Sequence, residues 1–387
     1  MPILNRAAEL HDQITGWRQH LHRNPELLFD VHQTAAFVKE KLAEFGCDEV
    51  VTGLGRTGVV GVIRGRLGPG KTIGLRADMD ALPLSELTGK SYASTAPGKM
   101  HACGHDGHTA MLLGAAKYLA ETRNFKGSVA VIFQPAEEGG GGGREMVKDG
   151  LMERFGIETV FGMHNMPGLP VGKFAIRSGP IMAATAEFVI TVTGKGGHAA
   201  MPNLAVDPIV IASQVVGALQ TIASRSADPL DSIVVSVTKF HAGDAFNIIP
   251  DSAELAGTVR TLRTEVNALA EKRMRTLCQG IAEAHDASIT VQYNSNYPVT
   301  FNHADETAFA SGVAAEIAGA SNVTTDIAPL MGGEDFSYML EARPGAFIFI
   351  GNGDSANLHN PHYDFNDEVI PHGVSYWVRL TETALSA

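Results

Sequence analysis

Residues 184 to 296 read as a closed unit with a rhythm of their own. Strand-like EFVITVTG leads to a helical run at 208–224, then strands SIVVSVTKF and AELAGTVRT, a helix at 265–285 and a closing strand SITVQYN. This β-α-β-β-α-β succession is the ferredoxin-like order. A complete unit in mid-chain requires the flanking segments to share one larger domain. The expected organisation is therefore a discontinuous domain, 1–183 with 297–387, interrupted by an inserted α+β domain at 184–296. A length of 387 residues accommodates both.

In the flanking segments, apolar residues recur at helical spacing over 7–45 and are interrupted at Asn24-Pro25, which predicts two helices. Strand-like runs follow at 58–63 and 72–79, then a helix from about 109 to 122, and strands at 128–133, 159–163 and 346–350. That alternation predicts an α/β fold with a mixed, mostly parallel sheet flanked by helices. GRLGPGKT at 65–72 matches a phosphate-binding loop by letter, but TIGLRADMD after it alternates as a strand. No helix N-terminus follows to receive a phosphate, so the segment reads as a connection between strands.

Histidines and acids collect where these strands end. Asp78 and Asp80 close RADMDALP, and Glu137 and Glu138 follow the strand VAVIFQ ahead of five glycines. HACGHDGH places His101, Cys103, His105, Asp106 and His108 within eight residues, beside turn-permitting Gly104 and Gly107. His164 sits in GMHN, and His359 and His362 in NLHNPHY. Hard and borderline metal ligands converging on one sheet edge point to a metallohydrolase centre, with two ions as the natural count. One of the paired acids can then ligate while its neighbour handles a proton. The chain has no H-E-x-x-H helix and no G-x-S-x-G elbow, so single-zinc protease and serine hydrolase chemistry lack their signatures.

RADMDALP, HACGHDGHTA, FQPAEEG, GMHN, GKGGHAAMP, FNIIP, GTVRT, MGGEDFS and LHNPHYDFND together resemble the M20 metallopeptidase family. More narrowly they resemble its aminoacylase branch of hippurate hydrolases, N-acyl-amino-acid amidohydrolases and plant auxin-conjugate hydrolases. The resemblance runs over nearly the whole chain. It implies a zinc-exopeptidase-like catalytic domain and an inserted lid or dimerisation domain, with two divalent ions per subunit. By motif position it implies Cys103, His105, Glu138, His164 and His359 as metal ligands, Glu137 as catalytic base, and Asp80 as the aspartate orienting a ligand. It further implies His198 as an oxyanion donor, and Asn247 and Arg260 as holders of the substrate α-carboxylate. The chain departs from the wider family at Asp78 and in its CGH segment, which makes ligation by Cys103 a feature of the branch.

The implied reaction is hydrolysis of an N-acyl amino acid to a carboxylic acid and a free amino acid. An N-acetyl-diaminopimelate deacetylase or dipeptidase would use the same site, and a metal-binding regulatory protein is the alternative outside enzymes. Zinc or manganese is expected, with nickel and cobalt compatible. A net charge of -12 argues against nucleic-acid or anionic-membrane partners, and a homodimer or homotetramer through the lid is expected. Cys47, Cys103 and Cys278 are too few and scattered for a disulfide framework. With no apolar segment after a basic start in MPILNRAAELHDQITGW, a cytoplasmic location is expected.

Overall fold

The computed structural model describes residues 3–386. It divides into two compact units: one takes the chain up to Ile181, Thr300–Ala328 and everything from Asp335, and the other takes Met182–Val299 and Pro329–Glu334. The expected limits at 184 and 296 thus move outward slightly, and Pro329–Glu334, expected in the larger domain, groups with the smaller unit. The reason is local: the Ala183 N–H donates to the carbonyls of Leu330 and Gly332 at 3.0 and 2.9 Å.

The larger unit is built on an eight-stranded sheet. Its first five strands are β1 (Glu49–Leu54), β2 (Gly58–Arg64), β3 (Thr72–Asp78), β4 (Ser128–Gln134) and β5 (Ile157–Pro167). Across the sheet the order is β1, β2, β4, β3, β5, then Gly345–Gly353, Phe174–Ala175 and Val323–Thr324. Strands β4, β3, β5 and Gly345–Gly353 run parallel to one another, while β1, β2 and Phe174–Ala175 introduce antiparallel pairs. The parallel strands are apolar almost throughout because both faces are covered, as their burial shows. Edge strand β1 goes unanticipated from sequence because most of its residues are exposed or half-buried and its apolar signal is weak. Lys71 runs straight into β3 with no helix behind it, which excludes a phosphate cradle there.

The N-terminal region forms three helices rather than two: α1 (Asn5–Glu9), α2 (His11–Arg23) and α3 (His32–Glu44). Helix α4 (His105–Thr122) starts one turn before the expected position 109. Apolar periodicity could not show that start, since the first turn carries His105, Asp106 and His108. Gly114 lets α4 pack closely, because a Cβ there would lie 2.5 Å from the Ile14 side chain and 2.9 Å from Val374.

In the smaller unit, Ile233–His241, Ser252–Thr261, Ala184–Thr193 and Ser288–Tyr297 are neighbours in that order, all antiparallel. Numbered along the chain this is 2-3-1-4, the ferredoxin-like arrangement. Helices Pro208–Thr221 and Thr264–Ala284 contribute Leu219, Met274 and Cys278 to its core beside Phe188 and Leu255. The Asp207 carboxylate caps the first helix by accepting the Ile209 N–H at 2.9 Å, and Pro208 occupies the first turn, where no amide is needed. Among the described residues no helix is long and apolar enough to cross a membrane.

Leu75 is fully buried on β3, between β4 and β5. Leu75→Ala should lower stability by about 2–5 kcal/mol, read as a lower denaturant midpoint at unchanged slope. A loss under about 0.5 kcal/mol, the level of a surface substitution, would contradict this view of the core.

Candidate metal centre

Parallel strands share polarity, so the carboxyl ends of β4, β3, β5 and Gly345–Gly353 lie along one edge, where open α/β sheets place ligands. Asp80 lies two residues past the end of β3, and Glu137 and Glu138 just past β4. His164 is still within β5, paired in register with Phe349. Cys103 precedes α4 and His105 opens it. His359 arrives on the segment after Gly345–Gly353, and its backbone N–H donates to the Ala102 carbonyl at 2.8 Å. Among the groups of clustered donors are Cys103–Glu138–His359 and His105–Glu137–Glu138, which share Glu138, and Asp78–His105–His108–His164, which shares His105 with the second. His362 is in none of them, so the structure brings together His359 and not its neighbour.

Hydrogen bonds fix which way the imidazoles face. A carbonyl oxygen only accepts, so His105 Nδ1 carries the hydrogen bonded to the Asp80 carbonyl at 2.8 Å. His164 Nδ1 likewise donates to the Asn165 carbonyl at 2.7 Å. Their Nε2 atoms are left towards the cluster. His105 Nε2 is buried without a hydrogen-bond partner, and His164 Nε2 lies 3.4 Å from Cys103 Sγ. Glu138 Oε1 is 3.3 Å from His359 Nε2 and 3.9 Å from His105 Nε2. Buried ligand atoms facing one another are costly unless something positive sits between them. The donor set therefore fits a divalent cation, with the second ring nitrogens anchored as metal-bound histidines require.

The protonation states agree. Burial pushes the Cys103 thiol well above its ordinary value, and the Glu138, Glu137 and Asp78 charges push it further. Burial and the neighbouring His108 hold His164 well below its ordinary value, as a neutral imidazole. For His105, burial pulls downward, but the Asp78 charge and the bond to Asp80 prevail and raise it to about 10, so without a metal its Nε2 also carries a proton, which a bound cation would have to displace. Burial would raise Glu138, yet the hydrogen bond from His359 and the charge of His105 bring it down. Carboxylates thus gather around a thiol that stays protonated.

Of the other residues that looked like ligands, His108, Asp78 and Asp106 are engaged elsewhere. His108 donates from Nδ1 to Asp78 Oδ1 at 2.7 Å and accepts the Asn165 N–H on Nε2 at 2.9 Å, leaving no lone pair for a metal. Asp78 also accepts from Arg76 at 2.7 Å. Asp106 accepts from His22 at 2.8 Å, and His101 is fully buried with its ring held neutral at about 4 by burial. The Asp80 carboxylate accepts the amides of Glu137 and Glu138 at 3.0 and 3.1 Å, while Ala136 before them takes φ +54°. Behind the acids, Asp335 accepts from Arg76, Gln134 and the Gly143 amide. Asp335, Asn165 and Tyr363 lie inside motifs quoted above, but nothing in the residue type of Asn165 or Tyr363 marks them as part of the centre.

His198, Asn247 and Arg260 belong to the smaller unit. His198 pairs with Ile248, and the Ala199 N–H donates to the Asn247 carbonyl at 3.0 Å, so His198 and Asn247 share one exposed β-ribbon. Arg260 lies outside that ribbon, half-buried on the strand Ser252–Thr261.

The sequence profile of Peptidase family M20/M25/M40 matches residues 74–383. The chain belongs to this family. Among M20 relatives, the hippurate hydrolase of Campylobacter jejuni is 46% identical over 98% of both chains. An N-acetyl-L-cysteine deacetylase of Bacillus subtilis is 41% identical over 94% of this chain and 86% of its own. The crystal structure of the Bacillus subtilis YXEP protein, described as a dinuclear metal binding peptidase from the M20 family, superposes with a TM-score of 0.86. It is 34% identical and the match covers 98% of this chain and 99% of that one.

One pH effect follows from the support behind the M20 site. Burial pulls His22 down, but the Asp106 charge and the contacts with Asp106 and Glu86 raise it from 6.5 to about 9. The folded value exceeds the unfolded one, so this stabilisation is complete below about 6.5 and is lost as pH rises through about 9. In urea unfolding of metal-free protein, the advantage of the wild type over His22→Gln should shrink across that window. A gap independent of pH would refute the charged pair.

Proposed function

We propose that this chain is a metal-dependent amidohydrolase that cleaves N-acyl amino acids into a carboxylic acid and a free amino acid. The observation that carries this reading is the acid pair after β4: Glu138 is shared by the Cys103–Glu138–His359 and His105–Glu137–Glu138 groups, and Glu137 lies beside it in the second, 7% exposed, its amide held by Asp80. The near full-length likeness to a hippurate hydrolase supports the substrate class.

In this reading Cys103, His105, Glu138, His164 and His359 hold two divalent ions per subunit. Zinc or manganese is favoured, with nickel or cobalt compatible. A bound ion supplies Lewis acidity to the amide carbonyl and to a water. Glu137 accepts the proton of the attacking water and returns it to the nitrogen of the departing amino acid. Asp80 keeps Glu137 and Glu138 in place through their amides and His105 through its own carbonyl. His198 donates to the developing oxyanion. Asn247 and Arg260 hold the α-carboxylate, for which a guanidinium fork is well shaped. A reducing, cytoplasmic setting suits the free thiols Cys47, Cys103 and Cys278.

Self-association through the smaller unit completes the proposal. Strand Ile233–His241 is an edge of its sheet and leaves Val234 and Phe240 exposed, and the helix Pro208–Thr221 leaves Ile209 and Val210 exposed. Exposed apolar residues along a strand edge and an adjoining helix offer a surface for a second copy, although Lys239 and the irregular register at Val237/Lys239 limit direct strand pairing there.

Two experiments test these points. Glu137→Gln should reduce turnover of benzoyl- and acetyl-amino acids by about 100- to 10,000-fold while metal content is retained. Near-normal turnover would remove Glu137 as the base, and full wild-type activity in excess chelator would remove the metal scheme. In sedimentation, Val234→Lys with Phe240→Lys should shift the protein to monomer; an unchanged oligomer would place the interface elsewhere.

A further inference from the structure

Three ligand-bearing segments meet at one residue that ligates nothing. Asn165 Nδ2 donates to the Cys103 carbonyl at 2.7 Å, and its Oδ1 accepts the Tyr363 hydroxyl at 2.8 Å. Its own carbonyl accepts from His164 Nδ1 at 2.7 Å, and its N–H is taken by His108 at 2.9 Å. Tyr363 lies on the segment that carries His359. Both side chains are buried, Asn165 at 1% exposure and Tyr363 at 0%.

The chemistry of this junction allows little substitution. Cys103 offers a carbonyl, which only accepts, and Tyr363 offers a hydroxyl hydrogen, so the residue between them must donate on one side and accept on the other. An amide does both; a carboxylate only accepts. Gly104 gives independent support. It has φ +89°, and a Cβ there would come within 2.2 Å of Asn165 Nδ2 and 2.6 Å of the Tyr363 hydroxyl. The turn after Cys103 thus has no side chain at the place where the pair must close.

We propose that Asn165 and Tyr363 are a positioning pair that brings Cys103, His164 and the His359 segment into register for a divalent ion. The amide fixes the peptide from which the Cys103 thiol hangs, and the neighbouring carbonyl fixes the His164 tautomer and ring. The hydroxyl ties the third segment to both. This rests on the reading of Cys103 as a ligand. Neither residue touches substrate, and their contribution is to metal affinity and thiolate geometry.

The test uses the full chain stripped of metal and titrated with Co²⁺ against a competing chelator, following the thiolate-to-cobalt charge-transfer absorption. Tyr363→Phe removes one hydroxyl and no volume from the core; Asn165→Asp removes the donor and is the second variant. Each should lower Co²⁺ affinity about tenfold or more and weaken or shift the charge-transfer band. Metal-free Tyr363→Phe should still unfold cooperatively. Wild-type affinity and band in Tyr363→Phe would overturn the pair, even if the variant unfolds at a lower temperature, since the hydroxyl would then be purely structural. A wild type with tight Co²⁺ binding but no thiolate band would instead overturn Cys103 as ligand, and the reading beneath the pair with it.

Discussion

The catalytic edge depends on one carboxylate that is not among its donors. Asp80 is 1% exposed, and burial raises it above the ordinary carboxylate range. Its two oxygens accept the amides of Glu137 and Glu138, and its own carbonyl accepts from His105. Three groups in the donor sets are thus referenced to one residue just beyond β3. A buried amide left unpaired costs about 1–3 kcal/mol, so loss of the carboxylate would expose two such penalties where Ala136 already holds a positive φ. The acid pair stays beside the imidazoles because the alternative leaves its amides unsatisfied.

The buried charges behind the site are arranged so that the front remains negative. Arg76 bridges Asp78 and Asp335, while Arg18 and His22 meet Asp106. All of these are essentially excluded from water, and buried ion pairs of this kind add specificity of arrangement more readily than net stability. Their effect here is selective. Asp78, Asp106 and Asp335 are compensated mainly by arginines and His22 behind the site, whereas Glu138 is met by His105 and His359, imidazoles of the same cluster where a metal would take over that compensation.

The central strands could be read from sequence because β4 and Gly345–Gly353, buried on both faces, are largely apolar, and because the apolar residues of β3 alternate with Arg76 and Asp78. The ferredoxin-like insertion could be read because its elements alternate in period. Edge strand β1 and the grouping of Pro329–Glu334 could not, since one is mostly exposed and the other depends on hydrogen bonds to the distant Ala183. At the site, residue type located the region but could not separate ligand from support. His105 and His108 lie three apart on the same helical turn. Only their partners distinguish them: one ring leaves its Nε2 without a hydrogen-bond partner, and the other is saturated by Asp78 and Asn165. Asn165 and Tyr363 carry no metal-ligand signature, and their part emerges only from where their hydrogen bonds end.

The mixed donor set also bears on which ion is held. A thiolate draws zinc and other borderline-soft ions, while carboxylates and imidazoles accept manganese, nickel and cobalt as well. With sulfur, nitrogen and oxygen donors together, ligand chemistry alone discriminates weakly, and selection passes to how rigidly the donors are held. Under the proposed ligand set Cys103 matters most in this respect, because its buried thiol is held protonated and a cation would have to displace the proton. An ion that bonds sulfur strongly gains more from that displacement than a hard ion does. A rigid backbone at Cys103 would amplify the preference for such an ion, and a loosened one would let the hard donors decide.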